Sequence, residues 1–318
     1  MHVAAGTRAQ LSRGYAIALA AAAILSTTAI FIRHLTMAYQ LPALVLAVWR
    51  DGLVCATLVP ALALLSPSRL RVERRHLPYL VGYGLVLAVF NATWTLSVAL
   101  NGAAVSTVLV YSSAAFTAVL AWWLLGERLG WGKLMAVAVS LAGCALVSGA
   151  LEPAAWSTNL LGVATGILSG LCYAGYSLLG RSASQRGLDP WTTLLYTFAF
   201  AAVFLLAVNL GSGGLVPGAA ARPADLMWLG NAVAGWALLF LLAAGPTVAG
   251  FGLYNVSLTY LPSSVANLVV SLEPVFTAAT AYAAFGERLN ATQLAGSSLI
   301  LAAVVFLRVY EARTWAAG

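Results

Sequence analysis

Three ionisable side chains lie deep inside apolar stretches of the chain: Arg50 and Asp51 in the second stretch and Glu273 in the ninth. A charge at the centre of a hydrocarbon layer costs about 2.5–3.5 kcal/mol on insertion scales, so each needs a partner or a task. Glu273 precedes Pro274, which cannot donate a backbone hydrogen bond and frees a carbonyl one turn earlier. Two readings stand for Glu273. It is a carboxylate that pairs with an amine or carries a proton, or a buried carboxyl hydrogen-bonded to a neighbouring helix. Arg50 and Asp51 are adjacent in sequence, about 100° apart around a helix, and are not expected to pair with each other. Arg50 is expected to attract a carboxylate, to snorkel toward the outer interface, or to brace its own helix.

The uncharged candidates are aromatic and amide side chains. Tyr83, Asn91 and Trp94 fall in the third stretch, Tyr111 in the fourth, Tyr176 in the sixth, Tyr254 and Asn255 in the eighth, and Asn267 in the ninth. Tyr83 and Trp94 are about three helical turns apart and share a face, with Asn91 close to it. Inside a helix bundle such groups make an apolar cavity with a few polar contacts, suited to an amino acid with an apolar side chain. The same rings also serve to fill a core or to face lipid. With Glu273 they are the candidate substrate contacts. Catalysis has little raw material. Cys55, Cys144 and Cys172 sit in apolar segments with no Cys-x-x-Cys pair, and His2, His34 and His76 fall in a terminus and in loops. No Walker motif and no Gly-x-Ser-Gly is present. No enzyme activity, metal or cofactor is expected.

The elements that must position these residues follow from composition. Of 318 residues, 62% are hydrophobic and 8% charged, with a mean hydropathy of +0.92. Soluble domains are about a quarter charged, so a soluble enzyme, a nucleic-acid binder and a disordered chain are excluded. Ten stretches approach the roughly 20 apolar residues that cross a bilayer: 14–32, 42–65, 77–98, 103–125, 131–149, 160–179, 191–210, 227–256, 263–285 and 291–309. The eighth is too long for one simple span and holds Gly245-Pro246, which predicts a kink or an interfacial start. The first carries Ala18-Leu19-Ala20, similar to a cleavage site, but too close to Arg13 for a signal peptide, so an uncleaved helix is expected. With both termini in the cytoplasm, twelve of the sixteen Lys and Arg residues fall inside. Arg33, Arg222 and Arg288 fall outside, and Arg50 lies within a span. Basic loops facing anionic lipid account for the net charge of +7 without nucleic acid. Trp131, Trp156, Trp191 and Trp228 mark predicted helix ends.

The chain also repeats itself. Phe116-Thr117-Ala118 recurs as Phe276-Thr277-Ala278, and Gly126-Glu127-Arg128-Leu129 as Gly286-Glu287-Arg288-Leu289, at one common offset that also pairs Trp94 with Tyr254 and Ser97 with Ser257. Five is odd, so the second half starts on the opposite side of the membrane. The expected division is a cytoplasmic N-terminus (1–13), a first five-helix repeat (14–149), a second, inverted five-helix repeat (160–309) and a cytoplasmic C-terminus (310–318). Two similar bundles in opposite orientation can exchange conformations, as carriers do. Gly126 and Gly286 are placed as left-handed helix ends, with Glu127 and Glu287 at the N-termini of the fifth and tenth helices. Gly162, Gly166 and Gly170 make a small face for close packing.

The run from Ala99-Leu100-Asn101 through Ala121-Trp122-Trp123-Leu124-Leu125-Gly126-Glu127-Arg128-Leu129 resembles the first repeat of the drug/metabolite transporter superfamily, EamA type. The run from Ser271-Leu272-Glu273-Pro274-Val275-Phe276 through Phe285-Gly286-Glu287-Arg288-Leu289 resembles the second. The resemblance covers nearly the whole chain and is nearest to bacterial exporters of aromatic and other amino acids. It implies an all-α membrane protein of ten transmembrane helices, two inverted five-helix repeats forming a basket with a central cavity lined mainly by helices 1, 3, 4, 6, 8 and 9. It further implies a multi-pass protein of the inner membrane that exports amino acids or related small metabolites. Drugs, nucleobases or other amphipathic solutes are the alternative cargo, and a membrane protein without transport activity is the third reading. The sequence leaves monomer and homo-oligomer open.

Overall fold

A computed structural model describes residues 2–127, 129–147, 160–276, 279 and 290–316. Among these residues the chain is helical and carries no strand. The helices are α1 (His2–Leu25), α2 (Thr28–Ala38), α3 (Ala43–Leu65), α4 (Leu77–Tyr111), α5 (Ser113–Leu125), α6 (Trp131–Val147), α7 (Leu160–Gln185), α8 (Pro190–Gly211), α9 (Val233–Leu242), α10 (Gly252–Tyr260), α11 (Ser263–Val270) and α12 (Ala291–Ala316). Seven helical segments have the length and apolarity to cross a membrane: Gln10–Ala38, Ala43–Leu65, Arg74–Gly102, Val105–Leu125, Leu160–Gln185, Pro190–Gly211 and Val233–Tyr260. Shorter apolar helices occupy Trp131–Leu146, Ser263–Phe276 and Leu294–Leu307, where the fifth, ninth and tenth stretches lie. Arg128, Trp156, Thr277, Ala278, the second Gly-Glu-Arg-Leu run at 286–289 and the end of the ninth stretch fall outside the described residues.

Packing follows a two-fold pattern. Pair each helix of the first half with its counterpart in the second: α1 and α2 with α7, α3 with α8, α4 with α9, α10 and α11, α6 with α12. Two pairs of counterparts then meet each other, α3 on α8 and α6 on α12. Among the described residues, other major contacts between halves occur twice. The α4–α7 contact is matched by α1 on α10 and α11 and by α2 on α9, and α4–α8 by α3 on α9 and on the segment after it. Such reciprocal contacts are the signature of a two-fold relation.

The chain leaves regular helix geometry where the sequence compels it. The long eighth stretch begins as a helix at Val233 and runs as a π-helix over Ala243–Phe251, with Pro246 inside. Proline cannot donate to the carbonyl four residues back. That carbonyl, on Leu242, instead accepts from the Thr247 hydroxyl at 2.8 Å. Gly102, at φ 76°, turns the chain between the third and fourth stretches, a backbone conformation that side chains with a Cβ rarely adopt. The fourth stretch is interrupted at Ser112, and the ninth at Ser271 and Leu272, which are related positions in the two halves. In both breaks a serine hydroxyl, of Ser112 or Ser271, bonds the carbonyl three residues back at 2.6 Å. The glycine face of α7 packs as expected: the Gly162 carbonyl accepts from the Ser97 hydroxyl at 3.0 Å, and a Cβ on Gly170 would strike Ser112.

Gly126 is the left-handed cap of α5 at φ 66°, as the sequence predicts. Glu127 goes elsewhere. It was expected to serve the N-terminus of the fifth helix, the next along the chain. Instead its carboxylate accepts from the backbone N–H of Ser263 at 2.9 Å, from the Ser263 hydroxyl at 2.7 Å and from the Ser264 hydroxyl. It therefore caps α11, in the other half. Spacing along the chain cannot show this, because two halves folded on one another bring a different helix start within reach. Lys133 completes the cap, donating to the Ser264 hydroxyl at 2.9 Å and lying 3.9 Å from Glu127. Arg181 donates to the Leu258 carbonyl at 2.7 Å, at the C-terminal end of α10. A cation on one helix end and an anion on the next match the two helix dipoles around the Leu261-Pro262 turn. Glu127→Ala strips a charged acceptor from several donors, each such bond worth about 1.5–3 kcal/mol. It is expected to lower the thermal midpoint of the detergent-purified protein clearly more than Glu127→Gln does, measured by differential scanning fluorimetry.

Candidate functional site

Aromatic rings from several helices meet at the centre. Tyr83 and Phe90 come from α4, Tyr173 and Tyr176 from α7, Phe198 from α8, Phe251 from the π segment and Tyr254 from α10. Tyr83 and Tyr176 lie 4.9 Å apart between ring centroids, Phe90 stacks on Tyr173 at 5.1 Å, and Tyr173 and Tyr254 lie at 5.7 Å. Phe251 meets Tyr176 at 5.5 Å and Phe198 at 5.6 Å, both edge to face. These separations favour the quadrupole-complementary contacts of aromatic clusters. All seven rings are buried.

A line of polar groups threads this cluster. The Ser113 hydroxyl, on α5, donates to Asn267 Oδ1, on α11, at 3.1 Å. Asn267 Nδ2 donates to the Ser177 hydroxyl, on α7, at 3.1 Å. Ser177 and the Tyr254 hydroxyl share a 2.6 Å hydrogen bond. The Tyr176 hydroxyl donates to Asn255 Oδ1 at 3.1 Å. Four helices, α5 from the first half and α7, α10 and α11 from the second, are thus joined through side chains alone. Hydroxyls and amides can donate or accept, so this line can re-form around an ammonium or a carboxylate without stranding a buried group. Asn255 Nδ2, buried here, has no partner among the described residues.

Five of the sequence candidates therefore converge: Tyr83, Tyr176, Tyr254, Asn255 and Asn267. Tyr111 and Glu273 form a second group at the broken fourth and ninth stretches, interacting through their side chains, with Tyr173 near Glu273. Glu273 is half-buried. Trp94 is buried in the same core as the rings. Asn91 turns away from the cluster and holds Asp51 of α3, its Nδ2 at 2.9 and 2.7 Å from the two carboxylate oxygens. Arg50 and Asp51, expected not to pair, do so: Arg50 Nε lies 3.4 Å from Asp51 Oδ1. Both are wholly buried, so Arg50 does not snorkel. The long guanidinium side chain bends back across the angle that separates the two Cβ atoms, because no solvent competes for it. The sequence analysis missed Tyr173, Ser177, Ser113, Phe90 and Phe251. The serines carry no signal of their own in a chain so rich in small residues, but Tyr173 sits one turn from Tyr176 and is findable by helical spacing.

The chain matches the model of the "EamA-like transporter family" twice, over residues 12–149 and 160–309. It is 31% identical over 225 residues to an uncharacterised transporter of Archaeoglobus fulgidus, covering 70% of this chain and 74% of that protein. It is 26% identical over 235 residues to an uncharacterised transporter of Synechocystis, covering 73% of this chain and 66% of that one. It is also 26% identical over 246 residues to a threonine/homoserine exporter of Salmonella typhimurium, covering 76% and 75% of the two chains. Among solved structures, one crystal structure superposes with a TM-score of 0.73 at 16% identity, over 95% of this chain and 99% of the other, a likeness of fold. Two matches to one family model, together spanning nearly all of a chain whose halves pack with two-fold reciprocity, make this protein a member of the EamA-like transporter family.

Proposed function

We propose that the protein is a secondary transporter that exports amino acids, aromatic and other apolar or neutral ones, or related small metabolites, across the inner membrane by alternating access, with both termini in the cytoplasm. The observation that carries this reading is the Ser113–Asn267–Ser177–Tyr254 line inside the aromatic cluster. It supplies neutral, reversible hydrogen bonds for a zwitterion and rings for an apolar side chain. It also crosses between the halves that must move against each other, so binding and movement share the same contacts. The similarity to a threonine/homoserine exporter supports an amino acid cargo. The rings themselves favour a second reading, flat amphipathic solutes such as nucleobases, which stack as aromatic side chains do.

Counterflow in proteoliposomes separates the two. Preloading with phenylalanine, threonine or leucine is expected to accelerate entry of the labelled amino acid, and preloading with adenine or uracil is not. The reverse pattern selects the second reading. Tyr254→Ala and Asn267→Ala each remove one or two net hydrogen bonds of about 1 kcal/mol from the line and should lower amino acid counterflow roughly three- to tenfold at unchanged protein yield. Glu273→Gln keeps the shape and hydrogen-bonding capacity of the carboxyl. At the break before Pro274 it is expected to retain most of the flux at every pH tested. Near-complete loss in well-folded protein would make the Glu273 charge part of the transport cycle.

A further inference from the structure

Arg50, Asp51 and Asn91 stand apart from the aromatic cluster and from Glu273, and the transport reading gives them no task. We propose that they form a proton site, in which Asp51 takes up the proton whose movement drives export; this rests on the transport reading above. Asp51 lies about 12 Å along α3 from its first residue, and Asn91 about 21 Å along α4 from its own, so both lie well inside their spans. An ionisable residue at that depth is a functional candidate, and coupling ions bind near the midplane in transporters.

The geometry provides for both protonation states. As described, Asp51 is an acceptor on both oxygens, toward the Asn91 amide at 2.9 and 2.7 Å, with Arg50 Nε at 3.4 Å as its counter-charge. Two buried atoms beside it have no partner: Asn91 Oδ1 and Arg50 Nη2. When Asp51 binds a proton it gains an O–H donor, and Asn91 Oδ1 is the acceptor that a turn of the same amide presents to it. Arg50 then loses its counter-charge, the pair changes from neutral to a net charge of +1, and the free guanidinium must seek another acceptor. A purely bracing ion pair would use these groups in one state. Asp51 and Asn91 are 0% exposed and Arg50 1%, which leaves no room for a solute, whereas a proton adds no volume. The other ionisable group acting at this position is the Cys55 thiol, one turn along α3, while α4 presents the neutral Asn91. Cys55 points its thiol at the Leu195 carbonyl of α8, at 3.9 Å, so the charged turn of α3 abuts the other half. A charge change on α3 therefore acts at the contact between the halves. Exchange of one proton for one zwitterionic amino acid moves one positive charge per cycle.

The test uses the full-length protein in proteoliposomes with labelled threonine. In the wild type, an outward proton gradient should accelerate uptake severalfold. Asp51→Asn should lose that acceleration while counterflow at equal pH stays within about threefold of wild type, and Asp51→Glu should restore part of it. Acceleration that persists in Asp51→Asn overturns the proposal, as does threonine counterflow in the wild type without any response to the gradient. A substrate-free measurement keeps the two readings distinct. Acidifying the purified protein should raise a protonated-carboxyl infrared band that Asp51→Asn lacks. If no amino acid or nucleobase moves through the wild type, the transport reading falls and the proton site is judged on this band. If Asp51→Asn is inactive in both flux assays, the band again decides, and an unchanged band overturns the site.

Discussion

A backbone inside hydrocarbon has no water to bond, so every N–H and C=O must find its partner within the protein. Several irregular features among the described residues answer that demand. The carbonyl that Pro246 leaves on Leu242 is taken by the Thr247 hydroxyl. The breaks at Ser112 and Ser271 are covered by serine hydroxyls. The exposed ends of α10 and α11 are met by Arg181 and Glu127, side chains from elsewhere in the fold. A long helix can be bent or interrupted in a membrane only where such a group stands by.

The same demand shapes the centre. Rings fill it, and the polar groups among them bond to one another in a line. Neutral groups that can both donate and accept keep a buried network satisfied through rearrangement, where fixed charges would not. Arg50, Asp51 and Asn91 bond among themselves rather than to that line, while Glu273 pairs with Tyr111 and lies near Tyr173 of the cluster. The Glu127 cap crosses from the first half to α11 and ties the halves at one end.

Much of the architecture was legible because the physics acts locally along the chain. Apolar run length marks the spans, Gly126 marks a left-handed helix end, Pro246 marks a distortion, and Gly162, Gly166 and Gly170 mark a close approach. Part of the site was legible for the same reason: Tyr83, Tyr176, Tyr254, Asn255 and Asn267 are polar or aromatic on helices otherwise apolar. Ser113 and Ser177 were not, since a hydroxyl in a helix usually bonds its own backbone. Nothing in their neighbourhood announces a partner on another helix.

The sequence by itself determined that this is a membrane-spanning helical protein with a repeated half, because composition and run length decide what a chain can bury and self-similarity needs no coordinates. Only the tertiary structure decided partners. It sent Glu127 to α11 rather than to the helix after it, closed Arg50 on Asp51, turned Asn91 away from the rings, and joined Tyr254 to Ser177. The reason is directional: hydrogen bonds and ion pairs depend on distances of a few tenths of an ångström between groups far apart in sequence, whereas the preference of apolar surface for lipid depends only on how much of it there is.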